Sequence, residues 1–258
     1  MSSAAFVFSF QILTVAGSIL TVLKLYWTGL HRRYRMFFLL FLFQIPNTIW
    51  PLLVDVKSVQ YLHFWLYTEP VTWLLDVLVV LELYRLVLEK HKGLLSLGRW
   101  IMYAAIAVSA FLSVLSLLPH FNPSTPQHSS KISYFLAIER GVTSSLAIFI
   151  FLILLFLSRY PVPLSRNVLV HTALYSIYFL SGTLGMLLAS VFGLRIYEQV
   201  AIFMTGVSSV CALAWFFLLT AKGEETQAHL PFYGVEYERR ALGQLEALNA
   251  TLMKVSRN

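Results

Sequence analysis

Polar residues interrupt this chain only at long intervals. Between them run seven mostly apolar stretches, roughly 5–27, 36–54, 61–88, 99–119, 132–158, 167–193 and 196–220. Each is close to the length of about 20 residues that an α-helix needs to cross a bilayer. The breaks carry turn or charge signals: TGLHRRYR after the first stretch, EKHKGLLSLGR after the third, HFNPSTPQHSSK after the fourth and SRYPVPLSR after the fifth. The sixth break, around GLRIYE, is the shortest, with the apolar run almost continuing past Gly193. The first stretch lacks a basic leader and is too long for a signal peptide, so it reads as a retained first helix. The pattern predicts an all-α polytopic membrane protein, a seven-transmembrane-helix bundle over residues 1–220.

Beyond residue 220 the pattern changes. GEET is polar, and HLPFYGVEY is punctuated by Pro231 and Gly234. Ala241, Leu245, Leu248, Leu252 and Val255 then recur at helical spacing, one apolar stripe about two heptads long. That is short for a coiled coil standing alone. Residues 221–258 are therefore expected to form an amphipathic helical tail, docked on the bundle, lying in the lipid interface or meeting a protein partner.

Composition agrees with this class: 58% of the 258 residues are hydrophobic and 12% charged, and the mean hydropathy is +0.73. The charge of +7 becomes informative once its placement is read. With the N-terminus outside, fifteen of the nineteen Lys and Arg fall on the inner side: Lys24, Arg32, Arg33, Arg35, Arg85, Lys90, Lys92, Arg99, Arg159, Arg166, Lys222, Arg239, Arg240, Lys254 and Arg257. Lys57, Lys131, Arg140 and Arg195 remain outside. The asymmetry predicts an outside N-terminus, a cytoplasmic C-terminus and residence in the cytoplasmic (inner) membrane. It also makes anionic inner-leaflet lipid the expected partner of the basic face, with no role for nucleic acid. One cysteine, Cys211, excludes an intrachain disulfide.

The third stretch, HFWLYTEPVTWLLDVLVVLELYR, carries three acids in a nearly hydrocarbon setting. Trp65, Glu69, Trp73 and Asp76 share one helical face. Glu82 lies on another side, one turn from Arg85, and that spacing predicts an interfacial pair. A rise of 1.5 Å per residue puts Glu69 about 12 Å into its helix, and Arg140 about 12 Å into the fifth. Equal depth and opposite sign predict that the two pair, with Glu139 as a competing partner of Arg140. Pro70 is expected to kink the third helix at this level and to admit water. Hydroxyls and amides on other stretches, Asn47 among them, face the same interior. They serve either as interhelical glue or as the lining of a hydrated cavity around Glu69, Asp76, Arg140 and Asn47. His171 is placed at a depth similar to that of Asp76, as a core residue or as a proton relay.

WLYTEPVTWLLD resembles the third helix of microbial rhodopsins, which carries Trp-Leu-aromatic-Thr-x-Pro followed by an aspartate. Trp65, Leu66, Tyr67, Thr68 and Pro70 match. Phe64 stands where that family often has a carboxylate, and Asp76 comes one residue late. The resemblance implies a seven-helix bundle with its N-terminus outside. Retinal in that family is held by a lysine of the seventh helix, and 196–220 contains none, so no retinal adduct is expected. More broadly the chain is similar to uncharacterised bacterial seven-helix membrane proteins, on EPVTWLLDVLVVLELYR and QLEALNATLMKVSRN, which implies a fold and not an activity.

No HExxH, GxSxG or glycine-rich phosphate loop occurs. Most histidines fall in loops or at helix ends, and only His120 and His128 share an outer loop. The expectation is a non-enzymatic protein without cofactor or metal, sensory or interacting in role, with a polar intramembrane cavity. A proton or small-solute transporter and an accessory subunit of a larger membrane complex are the alternatives. The absence of an inverted repeat counts against the transporter.

Overall fold

The computed structural model describes residues 3–55, 58–88, 127–159, 164–192 and 194–228, with further helical positions at 103, 107, 243–244, 246–247 and 250–251. The described chain is helical almost throughout. Helix α1 is Ser3–Trp27, followed by a 3-10 turn at Leu30–Arg32. Then come α2 (Arg35–Leu53), α3 (Val59–Val87), α4 (Gln127–Arg159), α5 (Arg166–Phe192) and α6 (Leu194–Leu218). After α6 a short helical turn, Lys222–Glu225, leads into a two-residue strand. This strand, β2 (Gln227–Ala228), pairs antiparallel with β1 (Leu164–Ser165), Leu164 opposite Ala228. Gly29 takes a positive φ of 73°, open to glycine at no steric cost, and there the chain turns from α1 into the 3-10 turn.

Among the described residues, five helices are long and apolar enough to cross a membrane: Phe6–Trp27, Arg35–Leu53, Ile138–Leu155, Arg166–Gly185 and Gln199–Leu218. They correspond to the first, second, fifth, sixth and seventh expected spans. The third expected span is α3, a helix of 29 residues outside that set. It runs unbroken through Pro70. Most of the fourth, 99–119, and most of the tail stripe of 241–255 lie outside the described residues.

Burial is inverted relative to a protein in water. On α1, Thr14, Ser18 and Thr21 are buried, whereas Phe8, Ile12, Ile19, Leu20 and Leu23 are exposed. On α5, Asn167, His171 and Thr172 are buried, and Ile177, Leu180, Leu184 and Leu188 face out. Phe203, Val210 and Phe217 do the same on α6. Soluble monomers rarely expose contiguous apolar surface beyond a few hundred Å². Here the apolar side chains clothe the helices and the hydroxyls glue them, as packing in hydrocarbon requires. The chain is accordingly built as an integral membrane protein.

It divides into two compact units, one of residues 1–83 and 164–228 and one of 84–163 and 229–258. In the first, α1 and α6 meet along a seam of small residues. A Cβ on Gly17 would stand 3.1 Å from that of Ala212. Thr14 and Ser209 share a hydrogen bond of 2.7 Å, and the Thr21 hydroxyl donates to the Ala212 carbonyl. Helices α2 and α3 run antiparallel. Trp50 stacks on Phe64 at one end, with centroids 4.9 Å apart, and Glu82 reaches the first turn of α2 at the other. In the second unit, Leu146, Phe149, Ile150, Ile153 and Leu157 form the buried stripe of α4, with Tyr84 against Phe149 at 5.3 Å.

Candidate functional site

Asp76 projects from the middle of α3 and is 8% exposed. It borders a cavity of about 20 Å³ enclosed by α1, α2, α3, α5 and α6. One water needs about 10–15 Å³ measured in this way, so the space suits one small guest. Organic ligands occupy about 300–1,000 Å³. Around it stand Thr14, Ser18, Gln44, Thr72, Ser208 and the phenols of Tyr175 and Tyr178. Leu40, Phe41, Ala212 and Trp215 close the remainder. The local reason is helical spacing: Thr14 and Ser18 lie one turn apart on the buried face of α1, as do Thr72 and Asp76 on α3.

Several of these groups already have partners. Thr14 donates to the Phe10 carbonyl at 2.9 Å and Thr72 to the Thr68 carbonyl at 3.2 Å. Ser18 Oγ, Tyr175 Oη and Trp215 Nε1 are buried without a hydrogen-bond partner among the described residues. Asp76 likewise has no hydrogen bond or ion pair among the described residues, none of which lines the space with a Lys, Arg or His side chain.

Towards the basic end, the cavity is backed by packed aromatics. Trp215 lies 4.8 Å from Tyr175 and 5.3 Å from Phe37, centroid to centroid. His171 sits among them, 4.4 Å from Phe37 and 4.6 Å from Tyr34. It is fully buried, yet among the described residues it does not line the cavity.

Tyr34 connects this cluster to a polar knot. Its hydroxyl donates to Glu224, whose other carboxylate oxygen pairs with Arg33 Nε at 2.9 Å. Asn167 Nδ2 donates both to Glu224 at 2.8 Å and to the Thr220 carbonyl at 2.7 Å. Asn167 is completely buried because Gly223 lets it approach, and a Cβ on Gly223 would overlap Asn167 Oδ1. The Arg166 N–H completes the closure by donating to the Thr226 carbonyl. Burial, reinforced by the Glu224 carboxylate, raises the Tyr34 hydroxyl well above the usual phenol range, with Arg33 opposing.

The other residues singled out by sequence belong to both units. Glu69 is in the first unit, half-buried, with the Trp73 indole turned towards it one turn on. Glu139 and Arg140 are half-buried on α4 in the second unit, each with an interaction of its own. Asn47 is half-buried on α2 and, like Glu69, is not among the described residues lining the cavity. Arg85 is exposed. Glu82 has a task that its spacing to Arg85 did not reveal. Its carboxylate accepts the backbone N–H groups of Arg35, Met36 and Phe37, at 2.8 to 3.2 Å. Helix α2 has no side-chain cap of its own, since Tyr34 occupies the N-cap position. An acid 47 residues away supplies it.

Sequence reasoning did not single out Tyr34, Asn167 or Glu224. Their partners come from three separate connections, which no local spacing relates. The one local hint is Gly223 beside Glu224, just past an apolar run.

Among the described residues no group of three or more His, Cys, Asp or Glu is placed to hold a metal. No protein-family model, curated protein or solved structure matches the chain, so the likeness of its third span to microbial rhodopsins rests on Trp65–Pro70 alone.

Proposed function

We propose that this is a non-enzymatic, seven-span sensory or interaction protein of the cytoplasmic membrane. Its intramembrane site at Asp76 takes a small inorganic species. Its cytoplasmic basic face and tail meet anionic lipid and a protein partner. The observation that carries the reading is continuity. Tyr175 and Trp215 line the Asp76 cavity and pack on Phe37 and His171, and His171 packs on Tyr34, which bonds to Glu224 at the start of the tail. A change of occupancy at Asp76 therefore has a route of close-packed side chains to the tail. The same aromatics argue against the transporter, because they fill the space between the cavity and the basic end. Chain parity supports seven spans. The chain is at the basic end at Glu82 and again at Leu164, so an even number of crossings separates them. Helix α4 supplies one, and the apolar stretch 99–119 is the candidate for another.

Cys211 is buried, so a fluorophore on an introduced Glu225→Cys would label the tail junction selectively. In proteoliposomes its emission should respond to the ionic composition or pH of the medium, and Asp76→Asn should abolish the response without any ion flux. Flux lost in Asp76→Asn would favour the transporter. Neither flux nor response would leave the accessory subunit and overturn the sensory reading.

A further inference from the structure

We infer that the Asp76 cavity is a binding site for a small monovalent alkali cation, sodium in size. The inference deepens the reading above by naming the species, and it stands on the chemistry of the site.

An ionised carboxylate within a spanning bundle is retained only when it is paired or hydrated. Among the described residues no cationic side chain lines this cavity, and none donates a hydrogen bond to Asp76. A cationic guest would supply the positive charge that the described residues do not. The donor set states which kind. Asp76 supplies carboxylate oxygen, Ser18, Thr14 and Ser208 supply hydroxyls, Tyr175 a phenol and Gln44 a carboxamide. The lone-pair ligands on offer are all oxygens, and these select a hard cation over a transition metal.

Charge and size narrow it further. A divalent ion in a dry site calls for more than one carboxylate. The nearest other acid on this face, Glu69, lies seven residues away, about 10.5 Å along the helix. That exceeds the span of one ion's ligands, each at about 2.3–2.6 Å. A single carboxylate matches a single positive charge. The cavity of about 20 Å³ admits one such ion stripped of most of its water and excludes organic cations.

A second observation points to a ligand independently of Asp76. Ser18 and Tyr175 are each 1% exposed, line the same cavity and have no partner for Oγ or Oη. Buried hydroxyls without partners are rare, and these two come from separate helices, α1 and α5. Two hydroxyl oxygens held open beside an open carboxylate are what an ion's coordination shell requires.

The test is thermal unfolding of the purified protein in a sodium-free, choline-buffered detergent solution, titrated with NaCl, LiCl or KCl at constant ionic strength. Sodium should raise Tm saturably, with potassium weaker by about tenfold or more, and Asp76→Asn should remove the dependence. Ser18→Ala should weaken apparent sodium affinity several-fold while leaving the sodium-free Tm close to wild type. The wild-type series alone decides the matter should a variant not fold. No difference between sodium, potassium and choline would overturn the inference and assign the cavity to water or a proton. Binding needs no response of the tail. Sodium binding with a silent Glu225→Cys label would thus reject the sensory reading alone, and a label response to pH without sodium binding would reject this inference alone.

Discussion

Glu82 gives the sharpest test of how this bundle is held. Its two carboxylate oxygens receive three successive backbone N–H groups at the start of α2, Arg35 at 2.8 Å, Met36 at 3.1 and 3.2 Å, and Phe37 at 3.2 Å. Those donors have no intrahelical acceptors, and they carry the positive end of the helix dipole. Replacing an N-cap side chain by alanine costs about 0.5–2 kcal/mol. A charged acceptor in a partly buried position adds up to about 2 kcal/mol through the dipole. Glu82→Ala should therefore lose roughly 2–3 kcal/mol, the two effects overlapping. Glu82→Gln keeps one acceptor oxygen and should lose about half of that. Arg85→Ala removes an exposed side chain and should stay within about 0.5 kcal/mol. Reversible unfolding in mixed micelles, followed by tryptophan fluorescence, measures all three. Equal losses for Glu82→Ala and Arg85→Ala would refute the cap and restore the interfacial pair. A loss under about 0.5 kcal/mol for Glu82→Ala would refute both.

Three further outcomes are expected. Gly223→Ala places a methyl group into Asn167 Oδ1 and should break the Asn167 bonds to Thr220 and Glu224, lowering stability by about 2–3 kcal/mol in the same assay, whereas helical Gly243→Ala, with nothing within 4 Å, should cost nothing and stabilise by up to about 1 kcal/mol. Because the folded chain holds the Tyr34 proton more tightly than the unfolded chain, that stabilisation is complete below about pH 10 and is lost as pH rises above it, by roughly 1.4 kcal/mol per unit; Tyr34→Phe should flatten this alkaline slope in unfolding measured from pH 8 to 11.5. Arg140→Ala should lose about 3–5 kcal/mol if Arg140 pairs with Glu69, and the double variant Glu69→Gln, Arg140→Gln should recover much of it; additive losses would hand Arg140 to Glu139.

The class of the molecule was legible because lipid imposes a coarse rule, about 20 apolar residues per crossing, that single residues cannot disguise. The helix boundaries at Trp27, Leu53, Phe192 and Leu218 follow from it within a few residues. Asp76 was also legible, since a carboxylate amid hydrocarbon stands out by type alone. Which neighbours it meets was not. Periodicity names the face of a helix but not the facing helix, so Ser18 and Tyr175 could only be read as two of many hydroxyls. Glu82 shows the limit from the other side. Its nearest charge in sequence is Arg85, yet its observed donors are backbone N–H groups, which every residue carries and no sequence pattern distinguishes.

The carboxylates of the first unit, compared with one another, sharpen the meaning of Asp76. Glu82 has three backbone donors, and Glu224 has Arg33, Tyr34 and Asn167. This fold therefore satisfies an acid thoroughly where the acid is structural, drawing donors from elements far apart in the chain. Asp76 is more deeply buried than either, stands among side chains able to donate, and has no partner among the described residues. Asn in its place would remove the charge at almost the same volume, and Leu would seal the cavity. A buried charge without a partner is the most costly of the alternatives for stability. None of the described residues relieves that cost, and the volume beside Asp76 admits a single ion or water. Asp76 is thus a residue whose stability depends on what the cavity contains, which is the physical requirement for a group that reports on its surroundings.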